Sequence, residues 1–286
     1  MKILHINNIS GVASTLSDEL KKKRAVQSDV LVFDKGAYGF PYDYLMTGAS
    51  SIKIFKAILK ARSYDVVHWH YPRQRKTIGI CSRFKSVLKH YHGTDLRDKK
   101  EENFCIVAMP ELLDYAPNGL YLPHPIKVED TEPRFETGNE TPIICWYRST
   151  VTKADIVEKA LKDLKNNCIS LELKGYKHEE ALNAIANCDI FLDLRTNGWY
   201  GLSTAEAMAY GKPVIGYIRE DFMKKYSPPI TPYTVHGNLA ETLKIFLSDS
   251  NLKERMGRAC RHYAEVVHNV KNTVDILLPI YEKLGG

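Results

Sequence analysis

The stretch TNGWYGLSTAEAMAYGKPVIGY, residues 196 to 217, collects residue types that can hold a phosphorylated ligand. Gly198 and Gly201 permit close backbone approach. The helix they precede opens with unpaired amides and the positive end of its dipole, which favour an anion. Glu206, one turn in, cannot bind a phosphate but can accept hydrogen bonds from ribose hydroxyls. Ser203 and Glu206 equally fit an S-x-x-E capping box, in which both side chains serve only the helix end. On the residues alone these two readings stand level. Gly211 and Pro213 then stop the helix and send the chain into PVIGYI.

Other groups with chemistry lie elsewhere. WYRSTVTK sets Arg148 at a strand end and Lys153 five residues on, at a helix start. Two cations on one strand-to-helix corner suit a diphosphate leaving group, although an isolated pair of this kind also fits a solvated helix start. DVVHWH places His68 and His70 on one strand face, because side chains two apart point alike. An H-x-H pair can ligate a metal, but no third ligand follows at a recognisable spacing, so no metal site is expected. In KHYHGTDLRD, His92 follows a strand and Asp95 is placed to orient neighbouring groups or to cap the next helix.

The elements that must position these residues alternate. KILHIN, DVLVFD, DVVHWH, SVLKHYH and FCIVAM read as strands, separated by helix-period segments such as VASTLSDELKKK and SIKIFKAILKAR. Residues 126 to 141, IKVEDTEPRFETGNET, lose periodicity and read as a linker. Alternation resumes with IICWYR, ISLELKG, CDIFLDL and PVIGYI around helices KADIVEKALKDLK, HEEALNAIAN and STAEAMAY, and the tail from Asn238 reads as three helices. This pattern predicts an α/β fold of two doubly wound, Rossmann-like domains facing a central cleft. The expected boundaries are an acceptor-side domain over 1–126, a linker over 127–141, a nucleotide-sugar domain over 142–268, and a C-terminal helix over 269–286 that packs back on the first domain.

The composition, 44% apolar and 26% charged over 286 residues, allows two sizeable cores. No apolar run reaches the roughly 18 residues that span a bilayer, and the first residues read as a strand, so a cytoplasmic protein is expected. The six cysteines are scattered without a C-x-x-C pair and read as reduced thiols. The first 125 residues hold 19 Lys/Arg against 12 Asp/Glu, and the rest of the chain 21 against 22. Basic clusters such as Lys21 to Arg24 and Arg73, Arg75 and Lys76 suit an acidic substrate or an anionic membrane surface, and equally a solvated face. Nucleic acid is not an expected partner.

GLSTAEAMAYGKPVIGY resembles the G-L-x-x-x-E-A-M-A-x-G-x-P-V-I signature of the family-4 glycosyltransferases, retaining enzymes of the GT-B fold. The resemblance runs from the first strand to the last helix and is densest over residues 143 to 218. It implies transfer of a sugar from a nucleotide-diphosphate donor, UDP- or GDP-linked, to a glycan, lipid-linked or small-molecule acceptor, with no cofactor beyond that co-substrate and no obligatory metal. It assigns the donor to Gly11, Arg148, Lys153, Gly175, Tyr176, Gly201, Leu202, Ser203, Thr204 and Glu206. Catalysis falls to His92, Arg148 and Lys153, with His92 beside the transferred sugar. His70, Asp95, Asp193, Trp199 and Tyr200 are expected on the acceptor side or against the sugar. One departure stands out: the family's E-x7-E pattern has its first glutamate where this chain has Gly198, and Asp193 is the nearest substitute. Alternatives are an epimerase or hydrolase of the same fold, or a catalytically silent sugar-nucleotide-binding subunit.

Overall fold

The computed structural model describes residues 1–36, 38–149, 151–164, 167–234 and 237–286; the side chain of Arg75, part of one basic cluster, lies outside the described residues. The chain divides into two units, Met1–Pro125 with Val270–Gly286, and Ile126–Asn269. Each is a parallel sheet flanked by helices, as the alternation implies.

In the first unit, β1 (Lys2–Ile6), β2 (Gln27–Val32), β3 (Tyr44–Leu45), β4 (Val66–His70), β5 (Ser86–Tyr91), β6 (Cys105–Val107) and β7 (Gly119–Tyr121) stand in the order β3-β2-β1-β4-β5-β6-β7. Helices α1 (Val12–Lys21), α2 (Ser50–Ala61) and α3 (Arg75–Cys81) lie along the connections. In the second unit, β8 (Ile143–Trp146), β9 (Ile169–Glu172), β10 (Ile190–Asp193), β11 (Val214–Gly216) and β12 (Ile230–Pro232) stand in the order β12-β11-β10-β8-β9. Its helices are α4 (Ala154–Asp163), α5 (His178–Asn187), α6 (Leu202–Ala209), α7 (Glu220–Tyr226), α8 (Leu239–Ser248) and α9 (Ser250–Tyr263). The last helix, α10 (Val270–Gly285), belongs to the first unit. Strands β3, β7 and β12, two or three residues long and partly exposed, lack the buried apolar run that marks the equally short β6 and β11.

Strands buried on both faces set the cores. Every residue of β4 is buried, with Val66, His68 and His70 on one face and Val67 and Trp69 on the other. The Val66 face meets α1 through Val12, Leu16 and Leu20 and α10 through Val274, Leu277 and Tyr281. The Trp69 face meets Ala57 and Ala61 of α2 and Ile78 of α3. In the second unit Ile144, Trp146, Ile190, Leu192 and Ile215 pack against Val157 and Ala160 of α4 and Leu243 and Phe246 of α8. All six cysteines are free thiols, and burial pushes those of Cys105 and Cys260 up to about 12. Among the described residues no helix is long and apolar enough to cross a membrane.

The segment read as a linker is bound to the second unit by polar contacts. Thr137 and Asn139 donate to the Asp189 carboxylate at 2.7 and 2.9 Å, Arg134 donates to Asn187 at 2.8 Å, and Arg261 donates to the Thr131 carbonyl at 2.7 Å. These bonds use isolated side chains at irregular spacing, so no apolar period announces them. Ile126 and Asn269, the first and last residues of this unit, pair in a parallel bridge.

Helix α6 ends as its sequence predicts. Gly211 adopts φ +71°, its amide bonds the Met208 carbonyl, and the Lys212 amide bonds the Ala207 carbonyl, both at 2.9 Å, which is a Schellman cap. A Cβ at Gly211 would lie 2.6 Å from the Phe135 ring. Gly211→Ala is therefore expected to destabilise the protein by about 1–2 kcal/mol, seen as a lower urea midpoint.

Candidate functional site

The corner that follows β8 and β10 gathers most of the donor residues named from the sequence. These strands are parallel neighbours, so their C-terminal ends open side by side, where ligands bind in open α/β sheets. The two loops beyond them are zipped together: the Lys153 amide bonds the Leu194 carbonyl at 3.0 Å and the Thr196 amide bonds the Val151 carbonyl at 2.8 Å. Thr152 and Arg195 complete an antiparallel bridge. Lys153, exposed and at the N-cap of α4, is thereby fixed beside the segment that leads to α6.

Asp193 organises that segment. Its Oδ2 accepts from the Gly201 amide at 3.1 Å and from the Thr204 hydroxyl at 2.5 Å, and its Oδ1 lies 3.4 Å from Arg195 Nε. Asp193, 8% exposed and engaged through both carboxylate oxygens, shapes the turn. Gly198 is equally committed: φ is +78°, and a Cβ there would meet Arg219 Cβ at 2.9 Å. The glutamate of the family pattern does not fit this backbone.

The capping box expected from Ser203 and Glu206 is absent. Helix α6 begins two residues earlier than that box requires, with Gly201 as N-cap and no side-chain cap, and Asp193 holds the Gly201 amide. Ser203 thus becomes the second helical residue, and the first amides, those of Leu202 and Ser203, have no intrahelical acceptor. Glu206, also 8% exposed, is turned instead to His178 on α5, with Oε1 to Nε2 at 2.6 Å. Gly175 is exposed with φ +85° and Tyr176 is half-buried, both just before α5.

Arg148 differs from expectation. Its guanidinium donates to Glu172 at 2.8 and 3.2 Å and to Glu158 at 2.7 Å, and these carboxylates raise its pKa. The charge is matched within the unit before any ligand arrives. Arg195, which the sequence reading missed, lies closer to the helix start: a Cβ on Gly201 would fall 2.2 Å from Arg195 Nη2. Its position two residues past Asp193, at the end of a buried strand, is the signal that marks it.

Trp199 and Tyr200, expected against the sugar, are packed inside the unit. Each is 1% exposed; the rings stack at 4.5 Å, Trp199 meets Phe222 and Tyr226 edge-on, and the Tyr200 hydroxyl bonds His268 at 2.8 Å. They anchor the GWYG turn in the core, a role that two aromatic residues between glycines also permit.

The first unit holds the remaining residues. Gly11 is the N-cap of α1 with φ +75°, and a Cβ would overlap the Phe40 ring at 2.6 Å. Asp95 accepts from the His92 amide at 3.0 Å and the Gly93 amide at 2.7 Å, so it orients the turn; burial raises its pKa while these amides oppose the rise. His92 Nε2 meets His70 Nδ1 at 3.2 Å, and His70 Nε2 meets His5 Nδ1 at 3.0 Å. His70 is fully buried beneath this chain of rings rather than on an accessible wall. Burial lowers the pKa of His5 and His92 to about 3, and drives His68, His70 and His90 well down, with neighbouring imidazoles adding to the effect.

No protein-family model matches the chain, and no curated protein matches its sequence. Solved structures do. The chain is similar to Alr3699/HepE from Anabaena in complex with UDP-glucose, at TM-score 0.69 and 15% identity over 99% of this chain and 100% of that one. It is similar to sucrose-phosphate synthase from Thermosynechococcus elongatus, at TM-score 0.65 and 13% identity over 99% of both chains. It is also similar to UDP-GlcNAc 2-epimerase from Neisseria meningitidis bound to UDP-GlcNAc, at 0.61 and 9% over 99% and 100%. At these identities the likeness is one of fold, and with the two parallel-sheet units it identifies GT-B.

Asp193→Ala strips the acceptor from a buried amide and a buried hydroxyl, and is expected to cost about 2–3 kcal/mol, read as a lower melting temperature. The buried imidazoles carry a second expectation. Their folded pKa lies below the unfolded 6.5, so between those values the unfolded chain binds protons that the folded one refuses. Stability is complete above about pH 6.5 and falls as the pH drops toward 3, by up to about 1.4 kcal/mol per pH unit for each such imidazole. Urea midpoints measured across that window test this; a flat profile between pH 6.5 and 5 would contradict it.

Proposed function

We propose that the chain is a glycosyltransferase that moves a sugar from a nucleotide-diphosphate donor to a glycan, lipid-linked or small-molecule acceptor with retention of configuration. The observation that carries this reading is the zipped corner itself. At the C-terminal ends of β8 and β10, the Arg195 guanidinium lies against the mouth of α6 with its first amides, the Lys153 backbone is zipped to the loop that leads there, and the buried carboxylate of Glu206 stands one turn in. Positive dipole, free amides and cations together suit a diphosphate.

In this reading the amides of Leu202 and Ser203 receive the diphosphate, with Gly201 allowing its approach and Thr204 held below by Asp193. Lys153 and Arg195 neutralise the charge that grows on the leaving group. Glu206 accepts from the ribose hydroxyls, taking them in place of the His178 ring that it now holds. Gly175 and Tyr176 border the base. The bond from the anomeric carbon to the diphosphate breaks, the acceptor oxygen bonds that carbon on the same face, and the acceptor proton passes to the departing phosphate oxygen. That course needs no protein base and follows the resemblance to retaining enzymes. On the first unit the reading keeps His92 as the imidazole offered to the sugar, a role that rests on the resemblance to the family alone. UDP or GDP is the proposed donor nucleotide, supported by the UDP-sugars that similar folds hold. The basic balance of the first 125 residues suits an anionic acceptor or membrane surface.

The similarity to a UDP-GlcNAc 2-epimerase favours a second reading, in which the same corner binds the donor and no acceptor is used. A thermal-shift panel of UDP-, GDP-, ADP- and CMP-linked sugars, followed by product analysis with and without acceptors, separates the two. Transfer is expected to require an acceptor; sugar-nucleotide turnover without one supports the epimerase or hydrolase. Binding with no turnover leaves a silent subunit, and no stabilisation by any nucleotide rejects all three. Lys153→Ala is expected to lower kcat/KM about 100-fold with the fold intact. Arg148→Ala, whose charge Glu158 and Glu172 already match, should lose less; an equal loss would return Arg148 to the diphosphate.

A further inference from the structure

One face of the first unit's sheet changes character along its strands. Near their N-terminal ends β1, β4 and β5 present Ile3, Val66 and Leu88 to α1 and α10, and toward the C-terminal ends they present His5, His68, His70, His90 and then His92. Register aligns them across the sheet, with His5 beside His68 and His70 beside His90. Adjacent rings stand close, at 4.2 Å for His68 and His70 and 4.3 Å for His90 and His92.

Hydrogen bonding among protein groups does not satisfy this cluster. His90 is 1% exposed and neither of its ring nitrogens has a hydrogen-bond partner among the described residues; at His92, Nδ1 likewise has none there, while Nε2 meets His70. Leaving such groups unpaired costs about 1–3 kcal/mol each. One nitrogen from each of His70, His90 and His92 lies within 4.8 Å of the others, and the His70 Nδ1 to His92 Nε2 distance is 3.2 Å. Two nitrogens on a tetrahedral zinc, each about 2.0–2.1 Å from the ion, stand roughly 3.3 Å apart.

We propose that His70, His90 and His92 bind a zinc ion through three imidazole nitrogens, leaving the fourth tetrahedral position to water or a small anion. The donor set selects the ion class: three neutral imidazoles without carboxylate or thiolate suit zinc and not magnesium or calcium. His70 is already oriented for it. With Nδ1 on the metal, its Nε2–H donates to His5 Nδ1 at 3.0 Å, the outer hydrogen bond that fixes tautomer and ring plane in histidine metal sites. His92, half-buried just past β5, gives the ion a way in. The deeper trio of His5, His68 and His70 also clusters within 4.8 Å and carries unpartnered nitrogens at His5 Nε2 and His68 Nε2, but all three residues are 0% exposed, so it lacks the half-buried member that admits an ion at His92. Of the H-x-H pair read from the sequence only His70 is a ligand here; its partners, His90 and His92, come from the neighbouring strand and the turn just past it.

The test uses the full chain, stripped with a chelator, dialysed against zinc, and assayed for metal content and for the visible absorption of a cobalt substitute. The expected result is one zinc per chain and the intense absorption of tetrahedral cobalt. His92→Ala should abolish stoichiometric binding, and His5→Ala should weaken it about 10- to 100-fold. Wild-type protein that retains no zinc, a weak octahedral cobalt spectrum, or His92→Ala that binds like wild type would each overturn the proposal. Loss of zinc in His68→Ala with retention in His92→Ala would move the ion to the deeper trio and overturn this assignment as well. Because the readouts are metal content and the spectrum of the wild-type protein, they stand whether or not sugar transfer is found.

Discussion

Asp193 Oδ2 accepts from both the Gly201 amide and the Thr204 hydroxyl, and the arrangement of the second unit's corner depends on that contact. Because the amide before the helix is taken, α6 starts at Leu202, Ser203 lies inside the helix, and Glu206 has no cap to serve. The glutamate then reaches across to α5 and meets His178. The same turn forces Gly198 into a left-handed conformation against Arg219 and drives Trp199 and Tyr200 into the core. Within this motif Gly198, Trp199 and Tyr200 thus support the turn itself.

Charge at this corner is distributed unevenly. Arg148 is matched by Glu158 and Glu172, whereas Lys153 is exposed and Arg195 shares a single carboxylate that is already accepting two other bonds. Carboxylate pairing at this corner is therefore concentrated on Arg148, at the end of β8. The zip between the two loops holds them side by side, since each loop supplies backbone donors or acceptors to the other.

The first unit presents the opposite chemistry at the matching ends of its strands: neutral rings in place of charges. Burial removes water from His68, His70 and His90, so protonation is disfavoured and their lone pairs remain available. Aliphatic residues earlier in the same strands provide the packing against α1 and α10 that keeps the rings together.

The sequence by itself determined the class of fold, the main strands and their flanking helices, and the stop at Gly211, because each rests on local periodicity or on a backbone angle that glycine tolerates. The neighbourhood of Gly201, Glu206 and Lys153 was legible for the same reason, as turn, helix mouth and strand end are all local. Only the tertiary structure decided which side chains have their valences taken by neighbours distant in the chain. Asp193, Arg148, Trp199 and Tyr200 are engaged by groups that no spacing reveals, the aperiodic segment 127–141 is fastened through scattered polar bonds, and His70 meets His90 and His92 only through the pairing of β4 with β5. Hydrogen bonds and strand pairing across long sequence separations carry no period along the chain, so they become visible only once the chain is folded.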